Sequence, residues 1–415
     1  MPFAGHVGPM SALTAELTRR GHDVVAYAGE KYRGRFDEAG AQWLPRERAT
    51  DFDDADLAAT FPRIGNGKGM RADQANLEDV LFGTGAGQAG DILAEAGRKP
   101  FDLLVSDQTA FGTSLAAEVL GVRWATVAVT PLSLTSRDLP PVGTPFRPAT
   151  GALGRARDAV LRAVAGLAYR GLVDPMLNRM RAGVGLGRAR PGQLMDSLYS
   201  PYLVVAQGVP GLEYPRADLP AHVHFAGRLA LPVAADPELP VWWPDLAAAR
   251  RIVHVTQGTL HVDPEDLLKP AIAALAGQDV LVVCTTGGPA STVLGPVPGN
   301  VRVARFLPHD RLLPLTDVMV TNGGWGGVLA AVQAGVPLVV AGDTLDKPEV
   351  ARRVAWSGAG VDLRTGRPGP GRVGRAVQDV LSRPEYRQRA GELGAALTAA
   401  GGVGRAVTLI EGLLG

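Results

Sequence analysis

The stretch "DVMVTNGGWGGVLAAVQAGVPLVVAGDTLDKPEV", residues 317–350, decides how this chain folds. An apolar run comes before the glycines and predicts a buried strand, and the alanine-rich run after them predicts a helix that leads to a second strand. Glycines at the end of a strand let the backbone approach a ligand closely, and the free amide groups at the start of the next helix favour an anion. The turn at residues 321–327 therefore indicates either a phosphate-binding loop or a place where two backbones simply pack closely.

A second turn of the same kind favours the phosphate interpretation. The sequence "QGT", residues 257–259, follows another apolar run and offers further backbone amides and the hydroxyl group of Thr259. Because parallel strands end at one edge of a sheet, two such turns in one domain indicate a diphosphate. No Lys-Ser/Thr pair follows the glycines, so the spacing of a Walker A loop is absent.

Apolar runs and amphipathic stretches alternate along the chain, which predicts an α/β fold with parallel sheets covered by helices. Strands are predicted at residues 22–29, 101–107, 123–130, 202–209, 222–229, 251–259, 279–287, 301–308, 317–324, 337–342 and 359–363. Helices are predicted at about residues 9–20, 31–39, 72–97, 110–120, 152–183, 264–276, 326–334, 347–357, 371–382, 385–398 and 403–414. The Pro-rich stretch 229–244 lacks a period and predicts a linker between two domains, at residues 1–228 and 245–400.

The composition is that of an ordinary globular protein, with 46% hydrophobic and 20% charged residues among 415. A net charge of +1 argues against a nucleic-acid binder, since such proteins usually carry a basic excess. The single cysteine, Cys284, lies in an apolar run and predicts a buried structural thiol. No apolar run approaches the ~20 residues of a membrane span, and the first residues lack the order of a signal peptide, so we expect a cytoplasmic protein with no integral span.

The chain opens with "MPFAGHVGPM", which is already the turn that normally follows the first strand of a doubly wound domain. Either the start of the protein lies upstream of Met1, or the first domain lacks its first strand. We expect an upstream start.

His6 stands just before the first predicted helix, and Asp107 ends the predicted strand "LLVSD". A carboxylate that holds a histidine in one tautomer is the usual companion of a histidine general base. Position alone also allows a loop histidine without a role and an aspartate that caps a helix. The two residues are therefore candidates for a catalytic pair in the first domain.

Residues 151–190 carry eight arginines and two aspartates, and Leu153, Val160, Val164 and Leu167 fall at helical spacing. The pattern predicts an amphipathic helix with a basic face. A solvated face is the ordinary interpretation of such a charge pattern. Contact with an acidic ligand or with a membrane surface is the alternative.

Taken together, these pieces resemble the inverting family 1 glycosyltransferases of the GT-B fold, and more narrowly the bacterial group related to macrolide glycosyltransferases. The resemblance spans nearly the whole chain and is most specific in its C-terminal part. It is carried by "GHVGPMSALTAELTRRGHDV", "LLVSDQTAFGTSLAAEVLGV", "VTQGT", "GAGVDLRT" and the segment from "ARFLPHD" to "DKPEVARRV". It implies two Rossmann-like parallel-sheet domains facing across a cleft, with the final helix at residues 401–415 docking on the N-terminal domain.

The resemblance also implies a mechanism. His6 would deprotonate an acceptor hydroxyl group in the N-terminal domain, and Asp107 would orient His6 and stabilise its charge. The activated oxygen would attack the anomeric carbon of a nucleotide-diphosphate sugar with inversion. Backbone amides at the start of the helix after residue 324 would stabilise the departing diphosphate.

The donor contacts follow from the same resemblance. Thr259 would touch the diphosphate, Asp346 and Lys347 would meet the sugar hydroxyl groups, and Phe306 would be the platform for the nucleobase. The complete set of donor candidates is Thr259, Phe306, Leu307, His309, Asn322, Gly323, Gly324, Trp325, Gly326, Gly327, Asp346 and Lys347.

Three residues depart from the family pattern and leave the donor open between a TDP-deoxysugar and a UDP-hexose. Asn322 stands where the family usually has histidine, Gly327 where it has serine, and Lys347 where it has glutamine. Asn322 could still donate a hydrogen bond to a phosphate oxygen but cannot carry positive charge. Trp325 could lie near the donor or pack in the core.

The acceptor is expected to be a hydrophobic hydroxylated small molecule, because residues 130–150 offer an apolar wall that includes Leu132 and Leu134. No cofactor and no metal ion is required by this scheme. The acidic run "DFDDAD", residues 51–56, contains the Asp-x-Asp pattern that holds a metal ion in another glycosyltransferase fold, but it lies in an irregular loop. His261 could reach the donor, and a homodimer is an open possibility.

Two other functions stay open from the residues alone. One is a nucleotide-sugar epimerase or hydrolase on the same fold, which would consume the donor without an acceptor. The other is a protein that binds nucleotide sugars without transferring them, given Asn322 in place of histidine.

Overall fold

The computed structural model describes residues 1–65, 69–144, 146–190, 195–231, 238–259, 263–288 and 290–415. The chain divides into two compact units, each described by itself below. Unit 1 comprises Met1–Gln207, Tyr214–Ala230 and Gly401–Gly415, and unit 2 comprises Gly208–Glu213 and Leu231–Ala400. Residues 208–213 thus group with the second unit, although the sequence places them in the first domain.

Unit 1 contains parallel strands with helices between them. Its strands are β1 (Val25–Tyr27), β2 (Gln42–Leu44), β3 (Leu104–Asp107), β4 (Trp124–Ala128), β5 (Leu203–Ala206) and β6 (Val223–Phe225). Its first helices are α1 (Ala4–Arg19), α2 (Arg33–Glu38), α3 (Leu57–Thr60), α4 (Met70–Ala75), α5 (Gly85–Ala96), α6 (Gly112–Leu120) and α7 (Ala152–Ala182). β1 pairs with β2, and β3 to β6 form a parallel sheet in chain order.

The single helix predicted at residues 72–97 is wrong, because the structure interrupts it. α4 continues into a π-helical turn at Asn76–Phe82, and α5 begins only at Gly85. The buried Thr84 hydroxyl group donates to the Val80 carbonyl oxygen at 2.6 Å, a local bond that competes with the regular helix ladder. β2 was not predicted, since a three-residue strand shows too little alternation to be recognised.

Unit 2 is a six-stranded parallel sheet. Its strands are β7 (Ile252–Thr256), β8 (Leu281–Thr285), β9 (Val301–Ala304), β10 (Val318–Thr321), β11 (Leu338–Val340) and β12 (Gly360–Asp362). Its helices are α8 (Asp245–Ala248), α9 (Leu268–Leu275), α10 (His309–Leu312), α11 (Trp325–Gln333), α12 (Lys347–Ser357), α13 (Pro370–Ser382) and α14 (Pro384–Ala399). The strands follow the order β12-β11-β10-β7-β8-β9.

This order places a topological switch point between β7 and β10. From β7 the chain runs outward through β8 and β9, then returns to β10 and runs outward on the other side. Thr256 and Thr321 lie side by side at the carboxyl ends of these two strands. Open parallel sheets bind their ligands outside the strand ends at such a point. The "QGT" and "TNGGWGG" turns both begin there.

The last helix, α15 (Gly402–Glu411), belongs to unit 1. Ala406, Val407 and Ile410 are buried in a cluster with Leu13 of α1 and residues of the sheet. Arg20 and His22 reach Glu411 at 2.7 and 3.0 Å. The helix therefore completes the core of unit 1.

By length and composition alone, the stretch Pro384–Glu411 is apolar enough to cross a membrane. It consists of two helices, α14 and α15, which meet at Gly401 with a left-handed φ of +88°. Each helix buries one face, with Leu393 and Leu397 in unit 2 and Val407 in unit 1. One buried face is typical of amphipathic helices that pack on the core of a globular protein.

Candidate functional site

In unit 1, His6 and Asp107 lie together as the sequence predicted. His6 Nδ1 is 3.2 Å from Asp107 Oδ1, and the side chains are 15% and 1% exposed. Asp107 is carried there by the end of β3, and His6 by the first turn of α1. Asp54 fixes the start of that helix, since its Oδ2 accepts a hydrogen bond from the Ala4 amide at 2.8 Å.

Thr109 completes this cluster, and sequence reasoning missed it. Its amide and hydroxyl groups both donate to Asp107 Oδ1, at 2.8 and 2.5 Å. Its Oγ1 also lies 3.2 Å from His6 Nδ1. The only sequence signal is its position two residues after an aspartate, where turn residues commonly bond to the aspartate side chain.

The Asp107 carboxyl group is held in its ionised form. Burial opposes ionisation, but the hydrogen bonds that His6 and Thr109 donate to Oδ1 favour the carboxylate. A permanent carboxylate against Nδ1 leaves Nε2 as the imidazole nitrogen that can accept a proton, the arrangement expected of a general base.

In unit 2, the two turns at the switch point are joined by Asn322. Its Nδ2 donates to the Gln257 carbonyl oxygen, and its Oδ1 accepts from the Gly324 amide at 3.3 Å. Asn322 is 7% exposed. Both ends of its amide group therefore tie the turns together. Nδ2 carries a second N–H, so the expected bond from Asn322 to a phosphate oxygen stays a prediction.

Three further glycines let four strand-end loops meet at the same edge of the sheet. A Cβ at Gly287 would lie 1.6 Å from the Gly258 carbonyl oxygen, and Gly287 has a φ of +72°. A Cβ at Gly342 would lie 2.3 Å from the Asn322 carbonyl oxygen. A Cβ at Gly323, with a φ of +91°, would lie 2.9 Å from Val340. Of these, Gly287 and Gly342 were not singled out from the sequence, because each is the last residue of a predicted strand, 279–287 and 337–342.

The start of α11 is open where the chain turns away from the sheet. Gly326 is exposed, and a Cβ built on it meets nothing within 4 Å. A Cβ at Gly327 would instead contact Met319 at 3.6 Å. Trp325 is buried with 3% exposure against Gly208, and its Nε1 has no hydrogen-bond partner among the described residues. Trp325 is therefore primarily a packing residue.

The other donor candidates border the same sheet edge. Thr259 is exposed after β7, and Phe306 is 60% exposed after β9. Leu307 and His309 are half-buried at the start of α10. The rest of the set lies at the start of α12, where Asp346 is half-buried and Lys347 is buried with its Nζ 3.3 Å from the Thr344 hydroxyl group. His261 lies outside the described residues.

The predicted apolar wall for the acceptor is wrong. Leu132 and Leu134 are 2% and 8% exposed, and they pack in a core cluster with Tyr199, Val204 and other residues. The loop folds back on the sheet because the Ser133 hydroxyl group bonds the Tyr199 hydroxyl group at 2.8 Å. These leucines therefore support the fold and do not face an acceptor.

The acidic run at residues 51–56 is bound by protein donors. Asp54 contacts the Tyr32 hydroxyl group at 2.8 Å and Lys31 at 2.6 Å, and Asp53 pairs with Lys31 at 2.5 Å. Within the described part of the chain, no group of three or more His, Cys, Asp or Glu side chains is arranged to hold a metal ion.

Comparison with known proteins decides the family. The 4'-demethylrebeccamycin synthase of Lentzea aerocolonigenes is 42% identical over 413 residues, which cover 100% of this chain and 98% of that protein. A solved structure, the glycosyltransferase of kitacinnamycin, matches the fold with a TM-score of 0.72 at 23% identity, covering 100% of this chain and 97% of that one. This chain belongs to the GT-B glycosyltransferases of natural products.

Two further comparisons place this glycosyltransferase more closely. A family model described as "Erythromycin biosynthesis protein CIII-like, C-terminal domain" matches residues 269–402, a range that contains the glycine-rich turn before α11. The UDP-glucosyltransferase B1 of Starmerella bombicola is 30% identical over 413 residues, which cover 94% of this chain and 91% of that protein. The chain is therefore a transferase enzyme that uses a nucleotide-sugar donor.

Proposed function

We propose that this glycosyltransferase moves a hexose or deoxyhexose from a TDP- or UDP-sugar to a hydroxyl group of a hydrophobic natural product, with inversion at the anomeric carbon. The observation that carries the proposal is the His6–Asp107 pair, with 3.2 Å between Nδ1 and Oδ1. The relatives' names, a rebeccamycin-type synthase and a UDP-glucosyltransferase, support the acceptor class and the donor class. We place the reaction in the cytoplasm.

The chemistry starts with a proton transfer in unit 1. The acceptor hydroxyl group gives its proton to His6 Nε2 while its oxygen attacks the anomeric carbon. Nδ1 keeps its proton and donates it in a hydrogen bond to Asp107 Oδ1, so the developing imidazolium charge is stabilised by the carboxylate. The bond between the anomeric carbon and the diphosphate oxygen breaks, and attack from the opposite face inverts the configuration.

The leaving diphosphate takes up negative charge, and we assign its stabilisation to unit 2. The free amides at the start of α11 and the turn after β7 lie at the switch point of the sheet. Such preorganised donors stabilise a developing anion without reorganisation, and this scheme requires no metal ion. Phe306 would stack on the nucleobase, while Asp346 and Lys347 would meet the sugar.

The test compares transfer with donor binding in one set of variants. In His6→Ala, we expect the rate of glycosyl transfer to fall at least about 100-fold, since general base catalysis typically contributes 10²–10⁴-fold. Calorimetric titration with TDP and with UDP should show nucleotide affinity unchanged, because His6 and the proposed nucleotide site lie in different units.

A matched control is His222→Ala, which removes a half-buried histidine of unit 1 outside the proposed site. Wild-type turnover in His6→Ala would eliminate the base assignment. Binding of neither nucleotide by the folded wild-type protein would eliminate the donor assignment.

A further inference from the structure

The N-terminal half of α7 presents an apolar stripe to solvent. Leu153, Val160, Val164 and Leu167 are 91%, 63%, 59% and 68% exposed. We call these four residues the α7 stripe. Their spacing of seven, four and three residues places them on one face of the helix. Four large aliphatic side chains in a row on one face mark an interaction surface more often than an ordinary solvated face.

The stripe belongs to a helix that is firmly held at its other end. Val173, Met176, Leu177 and Met180 of the C-terminal half are buried in a core cluster of unit 1. The buried C-terminal half therefore holds α7 on unit 1, while the N-terminal half is exposed. This packing fixes the position of the stripe.

The loop before α7 extends the apolar patch. The Arg157 guanidinium lies 4.4 Å from the centre of the Phe146 ring, and Arg157 stands one turn after Leu153 and one turn before Val160. Phe146 and Val142 are themselves 38% and 41% exposed. An aromatic ring beside aliphatic side chains is typical of surfaces that enter the boundary region of a membrane.

The charges around the stripe are positive. Arg147 in the preceding loop and Arg170 on the helix are exposed near it, whereas Arg155 is exposed on the opposite side of the helix. The only acidic residue between positions 151 and 173 is Asp158, which is buried and paired with Arg157 at 2.6 Å. An approaching partner therefore meets cationic side chains around an apolar centre.

We propose that the α7 stripe docks on an anionic lipid surface. The charge pattern decides between occupants: a second copy of the chain would bring arginines against arginines, whereas anionic headgroups would complement them. The stripe would enter the interface while the arginine stems extend to the headgroups. The proposal does not depend on the transfer reaction, because its readouts are binding and membrane proximity.

The test is co-sedimentation of the full chain with phosphatidylglycerol vesicles and with phosphatidylcholine vesicles. We expect binding to phosphatidylglycerol only, weakened by salt. The double variant Leu153→Gln with Leu167→Gln should lose about tenfold in affinity for each leucine. Arg147→Gln with Arg170→Gln should lose about fivefold for each arginine. Val241→Gln is the matched control, since Val241 is 98% exposed in unit 2.

A site-specific probe separates docking of this helix from general adsorption. The single natural cysteine, Cys284, is buried, so Val164→Cys introduces one reactive position for an environment-sensitive dye. Phosphatidylglycerol vesicles should shift the emission of a dye at position 164 to the blue and leave that of Val241→Cys unchanged. The proposal is overturned by equal binding to both lipids, by affinity that the leucine substitutions leave intact, or by sedimentation of a dimer that those substitutions dissociate.

Discussion

At the scale of single residues, Thr109 controls how Asp107 meets His6. Its two hydrogen bonds fix Asp107 Oδ1 at the point where Nδ1 reaches it. Thr109→Val keeps the shape and the amide bond but removes the hydroxyl donor. We expect kcat to fall about fivefold with KM nearly unchanged, because the lost bond of about 1 kcal/mol positions the base rather than the substrate.

Thr109→Ser supplies the control, since it restores the hydroxyl group without the methyl group and should recover most of the rate. Steady-state kinetics of the two variants with one donor and one acceptor measure the difference. A valine variant as fast as wild type would show that the hydroxyl group has no positioning role.

The sequence located the candidate catalytic pair but not the candidate acceptor-binding residues. His6 and Asp107 could be placed together because a strand end and a helix start are fixed by hydrophobic pattern. Leu132 and Leu134 could not be placed, since an apolar loop segment looks alike whether it lines a pocket or packs under Tyr199. Thr109 was missed because side-chain direction within a turn leaves no periodic signal.

At the scale of elements, the fold of unit 2 was largely predictable. Each predicted strand occurs, but the observed strands are shorter, as with β10 at Val318–Thr321 within the predicted range 317–324. The residues that were predicted as strand but lie outside the observed strands form turns at the carboxyl edge of the sheet. These turns are apolar or glycine-rich because they pack closely, not because they pair as strands. What the sequence could not show is that the strand order reverses between β7 and β10, because pairing between distant segments is a tertiary property.

The start of α11 offers a prediction about that edge. Gly326 has open space around it, so Gly326→Ala should keep or raise the free energy of unfolding by about 0.5–1 kcal/mol, as alanine favours a helix. If the open space accommodates the diphosphate, the same methyl group should weaken TDP or UDP binding at least tenfold. Thermal unfolding and calorimetric titration measure the two effects on one protein sample.

The neighbouring Gly327→Ala is the control for this prediction. Its methyl group would contact Met319 at an ordinary 3.6 Å and point toward the core. Nucleotide affinity should therefore stay at the wild-type value. Equal affinities for wild type and Gly326→Ala would mean that the diphosphate does not approach this helix.

At the scale of the whole molecule, a histidine in the core of unit 2 connects stability to pH. His254 on β7 is fully buried, and its Nδ1 lies 2.9 Å from the Val283 carbonyl oxygen. Burial, and to a lesser extent the nearby His309, lower the pKa of His254 to about 3. The unfolded chain binds this proton at its ordinary pKa near 6.5, so between pH 6.5 and 3 the unfolded state holds the proton and the folded state does not.

The contribution of His254 to the free energy of unfolding should therefore be fully present above pH 6.5. Below that pH it should be lost by up to about 1.4 kcal/mol per pH unit. His254→Asn, whose amide can still donate to Val283, should flatten the curve over that range and leave it unchanged above it. Urea unfolding followed by tryptophan fluorescence is suited to the measurement, because residues 242, 243, 325 and 356 place four of the six tryptophans in unit 2. Parallel curves for wild type and variant would show that His254 takes up its proton in the folded state as readily as in the unfolded chain.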